Sequence, residues 1–138
     1  MQRNYFVDGP IGETTRNEIL SGFDGVSGAV ASFMGVVRGD SVNKDSVAGI
    51  DYSAYEEMAN KSFAELEKDI LCRFDIHKIT ILHSVGHVTT GEVSLFVVVS
   101  SKHRKESFLA LEEAVELIKR DVPIWKKEIL VNENCRWL

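Results

Sequence analysis

Val93-Ser-Leu-Phe-Val-Val-Val-Ser100 is the stretch that decides the fold. Leu95 to Val99 is an unbroken apolar run, rich in β-branched residues and bounded by Gly91 and a polar turn. Such a run is too short for a buried helix and reads as a strand that is apolar on both faces, which places it at the centre of a sheet. Upstream, His77 to Val85 predicts a second strand, joined to the first around Gly86 and Gly91. Downstream, Phe108, Leu111, Val115, Ile118 and Val122 recur at helical spacing and predict a helix over 103–121. Pro123 ends it, and Ile124 to Val131 reads as a further strand.

The N-terminal half continues the pattern. Residues 3–8 predict a short strand. Thr15 and Glu18 have capping-box spacing and predict a helix over 15–22, closed by Gly22. Gly28 to Arg38 is apolar and reads as a buried strand, with Gly35 marking a bulge or a close backbone approach. Residues 39–46 are polar and turn-like, as expected of a mobile loop. Val47 to Ala54 predicts a strand. Ser53 and Glu56 form a second capping box before a helix over 55–73, with Ala59, Phe63, Leu66, Ile70 and Phe74 on its apolar stripe. The order β-α-β-β-α-β-β-α-β predicts an α+β sandwich with a mixed or antiparallel sheet. No repeat or linker divides the chain, so one domain over 1–138 is expected.

Composition narrows the function. At 138 residues, surface scaling buries roughly two-thirds of the unfolded chain's area, enough for a core without disulfides. With 44% hydrophobic and 27% charged residues the chain is not disordered. The net charge is −5, so any basic surface is local and a general nucleic-acid binder is disfavoured. Cys72 and Cys135 cannot frame a disulfide scaffold; one buried thiol and one near the C-terminus are expected. The N-terminus lacks an apolar signal region, and no run approaches the roughly 18 apolar residues of a membrane span. A soluble, cytoplasmic chain is expected. No G-x-G-x-x-G, Walker, HExxH or G-x-S-x-G pattern is present, so nucleotide-loop, zinc and serine-hydrolase readings lose ground.

Three features carry chemistry. Lys102-His103-Arg104-Lys105 opens the last helix. Cations there oppose the helix dipole, and an anion would turn that cost into a site; alternatively the side chains fan out into water. Lys119 borders the buried stripe, and Lys126 lies in the strand after Pro123. Two ammonium groups near an apolar wall depress each other's pKa, which is how a lysine becomes a base or nucleophile. Alternatively, Lys119 serves the helix C-terminus and Lys126-Lys127 a charged edge strand. Arg38 ends an apolar strand at the rim of the sheet. His83 and His87 flank a turn and read as hydrogen-bonded structural residues.

Four segments then fall into a family pattern: Gly28 to Arg38, His83-Ser-Val-Gly-His87, Ser101-Lys-His-Arg104 with Phe108, and Lys119-Arg-Asp-Val-Pro-Ile-Trp-Lys-Lys-Glu128. Together with the closing Arg136-Trp137, they make the chain resemble the MoaE family, the large catalytic subunit of molybdopterin synthase. The resemblance implies an α/β hammerhead fold. It also implies conversion of cyclic pyranopterin monophosphate (precursor Z) to molybdopterin, with two sulfurs inserted as a dithiolene. Sulfur arrives as a thiocarboxylate on the C-terminal Gly-Gly of a small ubiquitin-like subunit, whose tail threads into a pocket. Two large subunits form the core of a heterotetramer. The sulfur donor carries the hard chemistry, so no metal or other cofactor is expected.

Residue by residue, the family's catalytic lysines match Lys119 and Lys126. Its pterin- and phosphate-binding positions match Arg38, His103 and Arg104, flanked by Val36, Val37, Lys127 and Glu128. Arg136 matches an arginine that reaches into the neighbouring subunit's pocket. The rival readings are a non-catalytic module that docks a small partner's C-terminal tail and a phosphate-ester hydrolase using the same cations.

Overall fold

The computed structural model describes residues 3–40, 46–132 and 134–138. Its strands are β1 (Phe6–Asp8), β2 (Ala29–Val36), β3 (Val47–Ala54), β4 (Lys78–Thr89), β5 (Val93–Ser101), β6 (Ile124–Leu130) and β7 (Cys135–Trp137). The helices are α1 (Glu13–Ile19), α2 (Glu56–Arg73) and α3 (Arg104–Asp121). The sheet runs β2-β5-β4-β3-β6-β7 with antiparallel neighbours, and β1 adds a parallel pairing on β4. The α+β expectation holds.

β5 is buried along its whole length, between β2 and β4. Leu95, Val97 and Val99 face the main core beneath α2 and α3. Phe96 and Val98 face the other side, where Ile11 and Ile19 cover them. Alternation thus turns one apolar run into two half-cores. Phe63 anchors the larger one, fully buried, stacked on Tyr5 at 5.1 Å and edge-on to Phe6 at 5.6 Å. Its truncation to alanine costs about 3–5 kcal/mol.

β4 joins two sections of the sheet. Residues 78–83 pair with β5 and residues 86–89 with β3. Gly86, at φ +86°, takes the bend between them. The expected strand end at Val85 is therefore a bend within one long strand, and the reversal into β5 falls at Gly91, φ +89°. The bulge expected at Gly35 is present, where the β2–β5 register shifts between Gly35 and Val36.

Other expectations are corrected. Neither capping box forms: Gly12 and Tyr55 hold the N-cap positions without a side-chain cap, because α1 begins before Thr15 and Ser53 still belongs to β3. Cys72 is exposed, since it lies off the buried stripe of Ala59, Phe63, Leu66 and Ile70; Cys135 is exposed too. Phe108 is 62% exposed. The buried face of α3 instead begins with Ser107, Ala110 and Ala114, small residues that let the helix lie close to the sheet. Of the polar turn at 39–46, residues 41–45 lie outside the described residues; Asp40 and Ser46 on either side form an antiparallel bridge. β7 was not anticipated.

Candidate active site

A cleft of about 340 Å³ opens where the end of β2, the C-terminal turn of α3 and the face of β3 and β6 meet. Its rim holds Val36, Val37, Arg38 and Asp40, and its walls include Lys119, Lys126 and Glu128. The floor carries Tyr52, His83 and Ser94. Strand alternation explains the grouping. Lys126 and Glu128 are two residues apart on β6 and share a face. Lys126 is the direct cross-strand partner of Tyr52, which puts the two side chains side by side.

The charges are unequal. Lys126 is half-buried, and its pKa is lowered first by burial and then by the charge of Lys119. Lys119 stands exposed at the last turn of α3. Arg38 lies 3.8 Å from Asp40, both largely in water, a pair that contributes little. Glu128 is buried, and Arg136 neutralises it by donating through Nε and Nη2 to the same oxygen at 3.1 and 2.9 Å. With that carboxylate paired, the open charge of the cleft is positive and suits an anionic ligand.

The floor is polar and ordered. Tyr52 donates to Ser94 Oγ at 2.9 Å, and Ser94 Oγ reaches the Gly35 carbonyl at 3.4 Å. Burial raises the Tyr52 pKa against the opposing effect of that hydrogen bond, so the phenol keeps its proton. His83 Nδ1 donates to the Ser84 carbonyl at 2.8 Å. The exposed His87 pairs with Asp51 at 2.6 Å. Both histidines are hydrogen-bonded, as the sequence suggested.

The structure thus brings together Lys119, Lys126, Arg38, Val36, Val37 and Glu128. It separates the others. His103 and Arg104 are exposed and follow the far end of β5. Six residues of strand separate Leu95 in the cleft from Ser101, roughly 20 Å at strand rise. From Arg104 to Lys119 along α3 the rise is also roughly 20 Å. The His103–Arg104 pair therefore does not reach the cleft of its own chain. Lys127 points away from Lys126 and Glu128, with its Nζ 5.4 Å from the ring centre of Trp137. Arg136 lies beside the cleft wall, paired with Glu128 of its own chain. Tyr52 and Ser94 were missed: each lies in a strand that reads simply as core, and their meeting needs the β3–β4–β5 pairing.

The fold and this cleft define an α+β protein in which a lysine of lowered pKa faces an open pocket of positive charge. Comparisons carry the assignment further. The MoaE protein family model matches residues 10–121. A molybdopterin synthase catalytic subunit of Dictyostelium discoideum is 47% identical over 107 residues, covering 76% of this chain and 67% of that protein. The crystal structure of molybdopterin synthase from Staphylococcus aureus superposes with a TM-score of 0.85 at 32% identity, covering 100% of this chain and 98% of the other. The complex of subunits 1 and 2 of the Helicobacter pylori molybdopterin-converting factor shares the fold, with a TM-score of 0.75 at 23% identity over 96% of this chain and 87% of that one. The chain belongs to the MoaE family.

Proposed function

We propose that the chain is the catalytic subunit of a molybdopterin synthase, acting in the cytoplasm. It converts cyclic pyranopterin monophosphate to molybdopterin with two sulfurs from the thiocarboxylated C-terminus of a small ubiquitin-like partner. The observation that carries this reading is Lys126, half-buried beside Lys119 in a cleft of net positive charge. A lysine with a lowered pKa can exchange protons near neutral pH. Lys126 and Lys119 are assigned the acid–base steps that accompany sulfur attack and opening of the cyclic phosphate. Arg38 is assigned to the phosphate at the rim. Tyr52 and Ser94 organise the floor. Membership in a family whose relatives carry this name supports the reading, as does the two-subunit complex of the Helicobacter pylori neighbour.

His103 and Arg104 are assigned to the cleft of a second copy of the chain. They lie too far from their own cleft, so any role on substrate requires a second copy of the chain. A homodimeric core supplies that copy. Arg136 is assigned to holding Glu128 in the cleft wall.

The test is reconstitution of the protein with precursor Z and a thiocarboxylated Gly-Gly-ending partner, read by mass spectrometry for the dithiolene product. Product from the wild type and none from Lys119→Ala supports the assignment. A stable complex with the partner but no product from the wild type would leave a tail-docking module instead.

A further inference from the structure

One group in the cleft has a chemistry that the acid–base assignment does not use. His83 is only 5% exposed, yet it lines the cleft. Its Nδ1 contacts a carbonyl, which can only accept, so Nδ1 carries the proton and Nε2 carries a lone pair. Among the described residues no hydrogen bond reaches Nε2. Among the described residues the sealed side-chain atoms without a partner are Ser84 Oγ and Glu106 Oε2; Nε2 is not one of them, and the cavity that His83 lines is the cleft. The ring has little freedom to turn away. Tyr52 packs edge-on at 5.2 Å and Phe6 at 6.1 Å, with Phe63 at 6.5 Å.

Its surroundings also keep it uncharged. Burial, and then the charges of Lys126 and Lys119, push the His83 pKa down to about 4 against the opposing Ser84 hydrogen bond. At neutral pH the cleft floor therefore presents a fixed acceptor amid cations. Tyr52 is packed against this imidazole and is also the cross-strand partner of Lys126, so a phenol ring adjoins both groups. The oxygens of a cyclic phosphate diester carry no proton and only accept, so they gain nothing at Nε2. A ligand N–H does.

We infer that His83 determines orientation and specificity: its Nε2 accepts a hydrogen bond from a ring N–H or amino group of the pterin, while the cations take the phosphate. The inference rests on the function proposed above and names the part of the substrate that this cleft floor reads. An acceptor held in one tautomer and one ring orientation discriminates against ligands that present only acceptors there.

The test separates the two halves of the ligand. A phosphate-free pterin is titrated by its own fluorescence, and inorganic phosphate is titrated as a competitor of turnover. His83→Asn keeps a donor for the Ser84 carbonyl and loses the acceptor in the cleft. His83→Phe keeps the ring packing and carries the measurement if the first variant does not fold. Either variant is expected to bind the pterin ~10-fold more weakly and to raise the KM for precursor Z by a similar factor, with kcat and phosphate affinity changed less. His83→Gln, whose amide reaches the position of Nε2, recovers most of the loss. Unchanged pterin affinity in His83→Asn and His83→Phe, or equal loss for pterin and phosphate, overturns the inference while wild-type turnover leaves the proposed function standing. A wild-type protein that binds phosphate but neither binds pterin nor turns over precursor Z overturns both.

Discussion

Arg136 and Glu128 face each other across the β6–β7 ladder, and the guanidinium closes on a single carboxylate oxygen through Nε and Nη2. The Glu128 side chain is 7% exposed and the Arg136 side chain 27%. Removing the arginine leaves a buried carboxylate without its counter-charge. Arg136→Ala is therefore expected to cost about 2–3 kcal/mol, a fall of ~10 °C in Tm by calorimetry. Glu128→Gln, which removes the buried charge itself, should cost less. An unchanged Tm in Arg136→Ala would mean that the pair contributes nothing to the cleft wall.

Lys119 is exposed while Lys126 is half-buried, so the two substitutions separate. Lys119→Ala should abolish turnover and leave Tm within about 2 °C, because a surface position supplies little packing. It should also raise the pKa of Lys126, since the charge of Lys119 is one of the two causes that lower it. Burial remains, so recovery is partial. The side-chain nitrogen resonance of Lys126 followed against pH reads this directly. A downward move would contradict the arrangement of the two lysines.

His83 makes stability depend on acid. Its native pKa is near 4, against 6.5 for an ordinary histidine. Between those values the unfolded chain binds the proton and the native chain does not, so acidification favours unfolding. The contribution is complete above pH 6.5 and is lost as pH falls towards 4, by up to about 3 kcal/mol. His83→Phe has nothing to titrate there. Its Tm should therefore fall less than that of the wild type between pH 7 and pH 5. Parallel curves would remove His83 from the acid response.

The strand that separates His103 and Arg104 from their own cleft predicts complementation. Arg104→Ala and Lys119→Ala should each be inactive alone. Refolded together in equal amounts, they would form hybrids of the proposed homodimeric core in which one cleft has an intact Lys119 and receives Arg104 from the other copy. About a quarter of wild-type turnover is expected from random pairing. No recovery, with hybrids confirmed by native mass spectrometry, would deny the exchange between copies.

Much of the fold was legible because its signals are local. An unbroken apolar run located β5, a period of 3.6 located α2 and α3, and Pro123 and Gly35 marked a helix end and a bulge. The failures are also local. Both capping boxes had the right letters in the wrong register. Phe108 suits an apolar stripe by size, but α3 buries Ser107, Ala110 and Ala114 because close packing against the sheet rewards small residues. β7 is three residues long, and only its ladder with β6 makes it a strand.

The candidate site divides in the same way. By itself, the sequence determined which residues have reactive side chains and a known family pattern: Lys119, Lys126, Arg38 and the His103–Arg104 pair. It also determined the two-sided burial of β5, because five apolar residues in a row leave no face for water. Tertiary structure alone decided who meets whom. It set Tyr52 beside Lys126 through the β3–β6 register and turned Lys127 onto the opposite face. It gave Arg136 to Glu128 and left His83 neutral on the cleft floor. The physical reason is that ladder register, burial and the pKa values that follow from them belong to distances across the sheet. Residues far apart in the chain settle those distances only once every strand has found its partner.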